Sequence, residues 1–300
     1  MGTWSPSQAD GSGNKTIKYA VIVSARNAGS TIGLTVDSIL RQSLQAVQVC
    51  VVDDGSTDET LRILDKFRGR LRILRRPDRG YDIRRVPANF NLAYRNLDAT
   101  IDYLMISGDD CVYPKEYAHS LISSMSLDPR LVVASGRPRT DGDVLREHSP
   151  SGSGRMIKHS FWRYVGGGYP VNVGWETWLL YKALQEGLRT EQYEDLIYEH
   201  LRPRGSMHQF TYWGSAMYCL GYHPLYALGR VSKNLFRTEV SFAGTMKILA
   251  GYMLALVGSS DPFISSFEPP VREIVREYQA RRISNVVSHI VKRIPELIWK

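Results

Sequence analysis

The sequence predicts an α/β protein, with a mostly parallel sheet flanked by helices and a helical C-terminal extension. Three observations carry this expectation. From Lys18 to about Gly136, short apolar runs alternate with helix-like segments, the pattern of a parallel sheet covered on both faces. Three of those runs end in polar clusters, and in such sheets the carboxyl ends of the strands form the ligand crevice. The content, 43% hydrophobic and 23% charged over 300 residues, is that of a globular chain long enough for one large domain or one domain with an appendage.

The elements follow in order. "YAVIVS" (Tyr19–Ser24) reads as a buried strand, followed by the turn "RNAGS" and a helix from about Thr31 to Gln42. "VQVCVV" (Val47–Val52) is a second strand. Ser56 with Glu59 predicts a capping box opening a helix to about Phe67. "LRIL" (Leu71–Leu74) is a short third strand, and Pro87 suits the first turn of a helix reaching Asn96. Tyr103–Ile106 is the fourth strand, then come a helix from near Pro114 and the strand "LVVASG" (Leu131–Gly136). Residues 137–175 are rich in Gly, Pro, Ser and Arg without periodicity and are expected to form a functional loop. A helix follows from about Trp175 to Glu186, then a polar-apolar stretch ending in "YEHLRPRG". From His208 the pattern is mostly helical, broken at Pro224, Pro262 and Pro269-Pro270.

The N-terminal "MGTWSPSQADGSGNKT" is polar and Gly/Ser-rich, the composition of a flexible tail rather than a signal peptide. Cys50, Cys111 and Cys219 are odd in number and lack CxxC spacing, which predicts free thiols in a reducing compartment. The longest apolar stretch, Ile248–Gly258, falls well short of the ~20 residues that span a bilayer, so the chain is expected to be soluble or to lie on a membrane surface. Net charge is +8, and residues 201–300 carry 13 Lys/Arg against 6 Asp/Glu. That skew suits an acidic partner, or a solvated helix face. In Val271–Lys300, Ile274, Tyr278, Ile283, Val287, Ile290, Ile294 and Ile298 recur at helical steps between Arg and Lys residues, an amphipathic helix expected to be kinked or interrupted at Pro295. Such a helix lies in a membrane interface or packs on the main domain or a second subunit; the pattern leaves these open. Nucleic-acid binding would rest on the basic C-terminus alone, which lacks a recognised motif.

The strand ends carry the chemistry. The first run ends in Ser24-Ala25-Arg26-Asn27, the second in Asp53-Asp54-Gly55-Ser56 and the fourth in Gly108-Asp109-Asp110. Adjacent carboxylates at a strand end resist desolvation unless a cation is shared. Oxygen ligands select hard ions such as Mg²⁺ or Mn²⁺, typically held by one or two carboxylates and substrate phosphates. A carboxylate at Asp53 or Asp54 accepts hydrogen bonds from a base or ribose, or simply stabilises its turn.

Together "VIVSARN", "VVDDGSTDET" and "ISGDD" resemble family 2 glycosyltransferases of the GT-A fold, over about Lys18 to Arg204. The resemblance implies a mostly parallel Rossmann-like sheet and inverting, metal-dependent transfer of a sugar from a nucleotide-diphospho-sugar. The ion would be Mg²⁺ or Mn²⁺. Ser24 and Arg26 would border the base, Asp54 would contact it, and Asp53 its surroundings. Arg84 or Arg85 would meet the diphosphate. Asp110 would be the principal metal ligand, with Asp109 near the sugar or ribose and beside the metal, and His200 would complete the site. Glu176 in "VGWETWLLYK" matches the position of the catalytic base, where the family often has Asp; Glu194 and Asp195 are its rivals. The resemblance implies a transferase domain over 17–205, between a tail (1–16) and an extension (206–300). The extension resembles those of bacterial and archaeal members acting on surface glycans or lipid-linked sugars. The acceptor would then be a hydroxyl or phosphate of a glycan or lipid-linked carrier. The chain would be cytoplasmic, at the inner face of the cell membrane, with anionic lipid or a second copy on the C-terminal helices.

Other classes fit less well. A nucleotidyltransferase wants a Gly-rich G-x-G-x-R loop that "SARNAGS" lacks, and "DDGST" breaks the D-x-D-x-T of a haloacid-type phosphatase. The alternative that stays open is a catalytically inactive transferase-like domain that binds glycan or membrane.

Overall fold

The computed structural model describes residues 16–139, 150–202, 210–235 and 240–298. The expected tail lies outside these residues except for Thr16, as do Arg204 and His208. The chain divides into two units, Met1–Val171 with Lys182–Met207, and Asn172–Tyr181 with His208–Lys300.

The first unit is built on an eight-stranded sheet in the order β3-β2-β1-β4-β7-β6-β8-β5. β1 (Tyr19–Ala25), β2 (Gln48–Asp53), β3 (Arg72–Arg75) and β4 (Tyr103–Ser107) are mutually parallel. β7 (Arg155–Lys158) runs antiparallel between β4 and β6 (Leu131–Arg139). β8 (Arg189–His200) is parallel to β6, and β5 (Cys111–Val112) pairs antiparallel with its end. The sheet is thus mostly parallel, as the alternation predicts. β1, β2 and β4 are apolar at nearly every position because both faces are covered. One face packs Tyr19, Val21, Val23 and Val51 with Ile32, Val36 and Ile39 of α1 (Ile32–Leu40) and with Leu121 and Met125 of α4 (Tyr117–Leu127). α2 (Thr60–Asp65), α3 (Arg85–Arg95) and α5 (His159–Tyr164) complete the unit, and α6 (Trp175–Gln185) carries residues of both units.

The second unit contains α7 (Phe210–Cys219), α8 (Pro224–Leu235), α9 (Phe242–Val257) and α10 (Pro269–Ile298). Met217, Ala227, Val231, Ile248 and Tyr252 form its core. α7 and α9 cross closely at Gly214 and Gly251, where an added Cβ would lie 1.8 Å and 1.9 Å from the opposing carbonyl oxygens of Ile248 and Thr211. Ser241 caps α9 by accepting from Gly244 N–H at 3.1 Å. Among the described residues, no helix is long and apolar enough to cross a membrane.

Three local expectations differ from the structure, and one strand, β8, had no sequence assignment. The Ser56–Glu59 capping box does not form: Ser56 Oγ accepts from Asn27 N–H at 2.9 Å, and Asp58 Oδ1 takes the Thr60 N–H at 3.0 Å instead. Residues 137–175 are not one loop, because β7 and α5 lie within them. Their signal is short and contains Arg155, which is fully buried and donates to the Ser151 and Pro150 carbonyls and to Tyr169. β8 alternates polar and half-buried residues and bulges between the partners of Gly136 and Arg137, which blurs its period. α10 is not interrupted at Pro295 but runs on to Ile298.

Candidate active site

The ends of β1 and β2 are tied by side chains from both turns. Asn27 adopts a positive φ of 45° and accepts the Thr57 N–H at 2.9 Å, while its own N–H bonds Ser56. Gly55 sits at φ +71°, and a Cβ there would lie 2.4 Å from Asp78 Cα, so only glycine closes this turn. The Arg26 guanidinium donates to the Asp54 and Gly55 carbonyls and pairs with Asp78 at 2.6 Å. Asp53, buried, accepts the Ser56 N–H at 3.3 Å. Ser24 accepts from Asn89 Nδ2 at 3.0 Å.

Asp54 is the exceptional carboxylate here. Arg85 Nε donates to its Oδ2 at 2.9 Å within a nearly buried pair, and Arg76 Nε lies 3.9 Å from Oδ1. Oδ1 is buried and accepts no hydrogen bond among the described residues. A buried acceptor left unpaired costs about 1–3 kcal/mol, which a ligand N–H or hydroxyl would recover. Arg84, the other arginine considered for the diphosphate, pairs locally with Asp82 at 2.9 Å.

The acidic pair follows β4. Both carboxylates are 8% exposed. Asp109 Oδ2 accepts the Arg26 N–H at 3.1 Å, and its Oδ1 accepts from Arg202 Nη1 at 3.1 Å. Asp110 lies where β5 meets β8, with Leu201 N–H donating to its carbonyl at 2.8 Å. This pairing sets His200 directly opposite Cys111 and places His200 Nε2 3.7 Å from Asp110 Oδ1. His200 Nδ1 lies 2.9 Å from the Arg202 carbonyl, which can only accept, so Nδ1 carries the proton. In the neutral ring the Nε2 lone pair then faces a carboxylate oxygen. Two acceptors so placed fit a shared divalent cation, and a carbonyl partner on the far nitrogen is the usual support of a metal-bound histidine.

Burial pushes the Asp109 carboxyl from 3.8 up to about 6; the Arg202 guanidinium opposes this and the Asp110 charge adds to it. The raised value means the folded chain holds the proton more tightly than the unfolded one. The corresponding stability is complete below about pH 3.8 and is lost as pH rises through about 6. Asp109→Asn is therefore expected to gain stability over the wild type with rising pH, by up to about 3 kcal/mol between pH 4 and 7. Urea unfolding of both chains across this range checks it; a difference that does not change with pH would overturn the burial argument.

The first unit thus brings Ser24, Arg26, Asp53, Asp54, Arg85, Asp109, Asp110 and His200 to the carboxyl ends of its strands. Glu176 belongs to the second unit, exposed in the first turn of α6. Trp175 and Trp178 beside it are buried, and Trp178 Nε1 donates to Glu268 at 3.3 Å. Packing, not an open face for a sugar ring, is their visible use. Of the rival carboxylates, Glu194 pairs with Arg137 at 3.3 Å and Asp195 is exposed in the β8 bulge. Sequence reasoning missed Arg202, Cys111, Arg76 and Asp78. Only Arg202 carried a signal, two residues after the singled-out histidine.

The pattern of the family described as Glycosyl transferase family 2 matches residues 20–188. The chain is 36% identical over 70 residues to hyaluronan synthase of Pasteurella multocida, covering 22% of this chain and 7% of that protein. It is 29% identical over 126 residues to the uncharacterized glycosyltransferase YibD of Escherichia coli (strain K12), covering 40% of this chain and 34% of that one. The chain thus matches only a small part of these relatives' lengths. Among solved structures, the mannosyltransferase PcManGT from Pyrobaculum calidifontis, in complex with GDP-Man and Mn²⁺, superposes with a TM-score of 0.56 at 18% identity, over 95% of this chain and 84% of that one. TarS 1–349 of S. aureus in complex with UDP-GlcNAc gives 0.53 at 16% identity, over 79% and 72%. At such identities the likeness establishes the GT-A fold.

Proposed function

The chain belongs to glycosyl transferase family 2, and on that premise we propose that it is an inverting, metal-dependent glycosyltransferase using a nucleotide-diphospho-sugar. The observation that carries this is the convergence of Asp110, His200 and the partly unsatisfied Asp54 on one edge of the sheet. Asp54 would accept from the base and Arg26 would hold the turn that presents it. Asp110 and His200 would hold Mg²⁺ or Mn²⁺, with Asp109 beside them, and a bound ion would neutralise charge on the leaving diphosphate. The GDP-Man and Mn²⁺ bound by PcManGT, and the UDP-GlcNAc bound by TarS, support this donor class. In the reaction, an acceptor hydroxyl gives its proton to Glu176 as its oxygen bonds the anomeric carbon. The bond from that carbon to the diphosphate breaks, and the nucleoside diphosphate leaves with the electron pair. A panel of UDP- and GDP-sugars, read by nucleoside diphosphate release, tests the function. Turnover is expected to vanish with chelator and return with Mn²⁺ or Mg²⁺; full activity in chelator would overturn the metal reading.

The acceptor reading extends to lipid. The outward side of α9 is apolar, with Phe242, Met246, Met253, Leu254 and Val257 exposed, Val257 by 84%. Exposed Lys247 lies on the same helix, and the last hundred residues carry most of the net charge. We expect this unit to hold the chain on an anionic membrane. The full chain should float with anionic vesicles at low salt, and Leu254→Glu with Val257→Glu should abolish this without touching the core. Undiminished flotation of that variant would refute the assignment.

A further inference from the structure

We infer that Cys111 is a third protein ligand of the cation site, which therefore takes a thiophilic divalent ion such as Zn²⁺ or Co²⁺ in preference to Mg²⁺. The inference rests on the metal-dependent reading above and narrows its choice of ion: with a thiolate in the site, Mg²⁺ restores turnover less well than Mn²⁺, Co²⁺ or Zn²⁺. The ligand atoms of Asp110, Cys111 and His200 all lie within 4.8 Å of one another. Cys111 Sγ is 3.6 Å from Asp110 Oδ1, and His200 Nε2 is 3.7 Å from the same oxygen. Tetrahedral zinc with ordinary Zn–S, Zn–N and Zn–O lengths separates its donors by ~3.4–3.6 Å, close to the two distances to Asp110 Oδ1.

The thiol is where the sheet puts it. Cys111 and His200 are directly opposed residues of the antiparallel β5–β8 pair, and opposed residues project to the same face. Thr35 Oγ1 fixes the strand by accepting the Cys111 N–H at 3.1 Å. Cys111 also packs in the core, the ordinary use of a buried cysteine. Packing alone, however, does not call for a sulfur beside both a carboxylate and an imidazole lone pair. Without an ion the thiol donates its S–H to Asp110. On binding, the sulfur–metal bond replaces the S–H bond, and the proton passes to solvent with no change of oxidation state. Three protein donors leave a position for water or a phosphate oxygen. A sulfur–nitrogen–oxygen set favours Zn²⁺ and Co²⁺, whereas Mg²⁺ wants six oxygens.

Titration of the full wild-type chain with Co²⁺ tests this by absorbance. A sulfur-to-cobalt charge-transfer band in the near ultraviolet is expected. Cys111→Ser should lose it and weaken Co²⁺ and Zn²⁺ binding at least about tenfold, the size that even outer-shell partners contribute. Cys50 and Cys219, both buried, stay in place as controls. Persistence of the band in Cys111→Ser would overturn the assignment. Co²⁺ binding by wild type without the band would overturn the thiol ligand and leave the metal-dependent reading standing. Binding of neither Co²⁺ nor Mn²⁺ would overturn both. Zinc-edge X-ray absorption of the wild type needs no variant: one sulfur per zinc supports the inference, and none refutes it.

Discussion

Asp110→Asn is expected to lower sugar-transfer turnover roughly a thousandfold, equivalent to ~4 kcal/mol of lost transition-state stabilisation. The substitution keeps the side-chain shape and removes only the charge. The backbone role of residue 110 survives, because Leu201 N–H bonds its carbonyl, so the β5–β8 junction that carries His200 should stay in place. What is lost is the anion facing His200 Nε2 across 3.7 Å. An amide is a poor ligand for a divalent ion, and the remaining neutral imidazole of His200 brings no charge to offset the ion's. Calorimetry of UDP and GDP, with Mn²⁺ and with chelator, reads the cause directly. The wild type should bind one of them more tightly with the ion, and the variant should bind equally with and without it. Metal-dependent affinity unchanged from wild type would show that the ion is held elsewhere.

Glu176→Gln is expected to reduce turnover by ~10²–10⁴ while leaving donor and metal binding intact, the signature of a lost general base. An inverting displacement deprotonates the acceptor on the face opposite the leaving diphosphate, so the base comes from outside the Asp110 cluster. Glu176 lies in the first turn of α6, where the positive end of the helix dipole favours a carboxylate. Gly174, at φ +89°, shapes the entry to that helix. Buried Trp175 and Trp178 anchor the turn, leaving the exposed side chain between them. Single-turnover rates with saturating donor isolate the chemical step. If Glu176→Gln transfers at the wild-type rate and Asp195→Asn does not, the base lies in the β8 bulge instead.

Features that depend on neighbours in sequence are legible in the chain itself. Tyr19–Ser24, Val47–Val52 and Tyr103–Ile106 announce buried strands because a strand covered on both faces must be apolar throughout. Pro87 marks the start of α3 because it tolerates only the first turn of a helix. The polar residues at the strand ends were legible for the same reason, since the change from apolar to polar happens within two positions. The Ser56 capping box was a local signal that failed: the Asn27 turn, brought alongside by β1–β2 pairing, claims the serine oxygen first.

The mostly parallel sheet, the carboxylates at its carboxyl end and the family all follow from residue order. Which side chains come to surround those carboxylates depends on contacts between segments far apart in the chain. Strand pairing between distant segments leaves no periodic trace, so His200 was joined to Asp110 only through the family resemblance, and the β5–β8 junction that sets Cys111 beside them left no sequence signal. The same junction carries Arg202 to Asp109, and the start of α3 brings Arg85 to Asp54. Cys111 read only as a free thiol because a lone cysteine's chemistry depends on its neighbours in space, and here the sheet register supplies them.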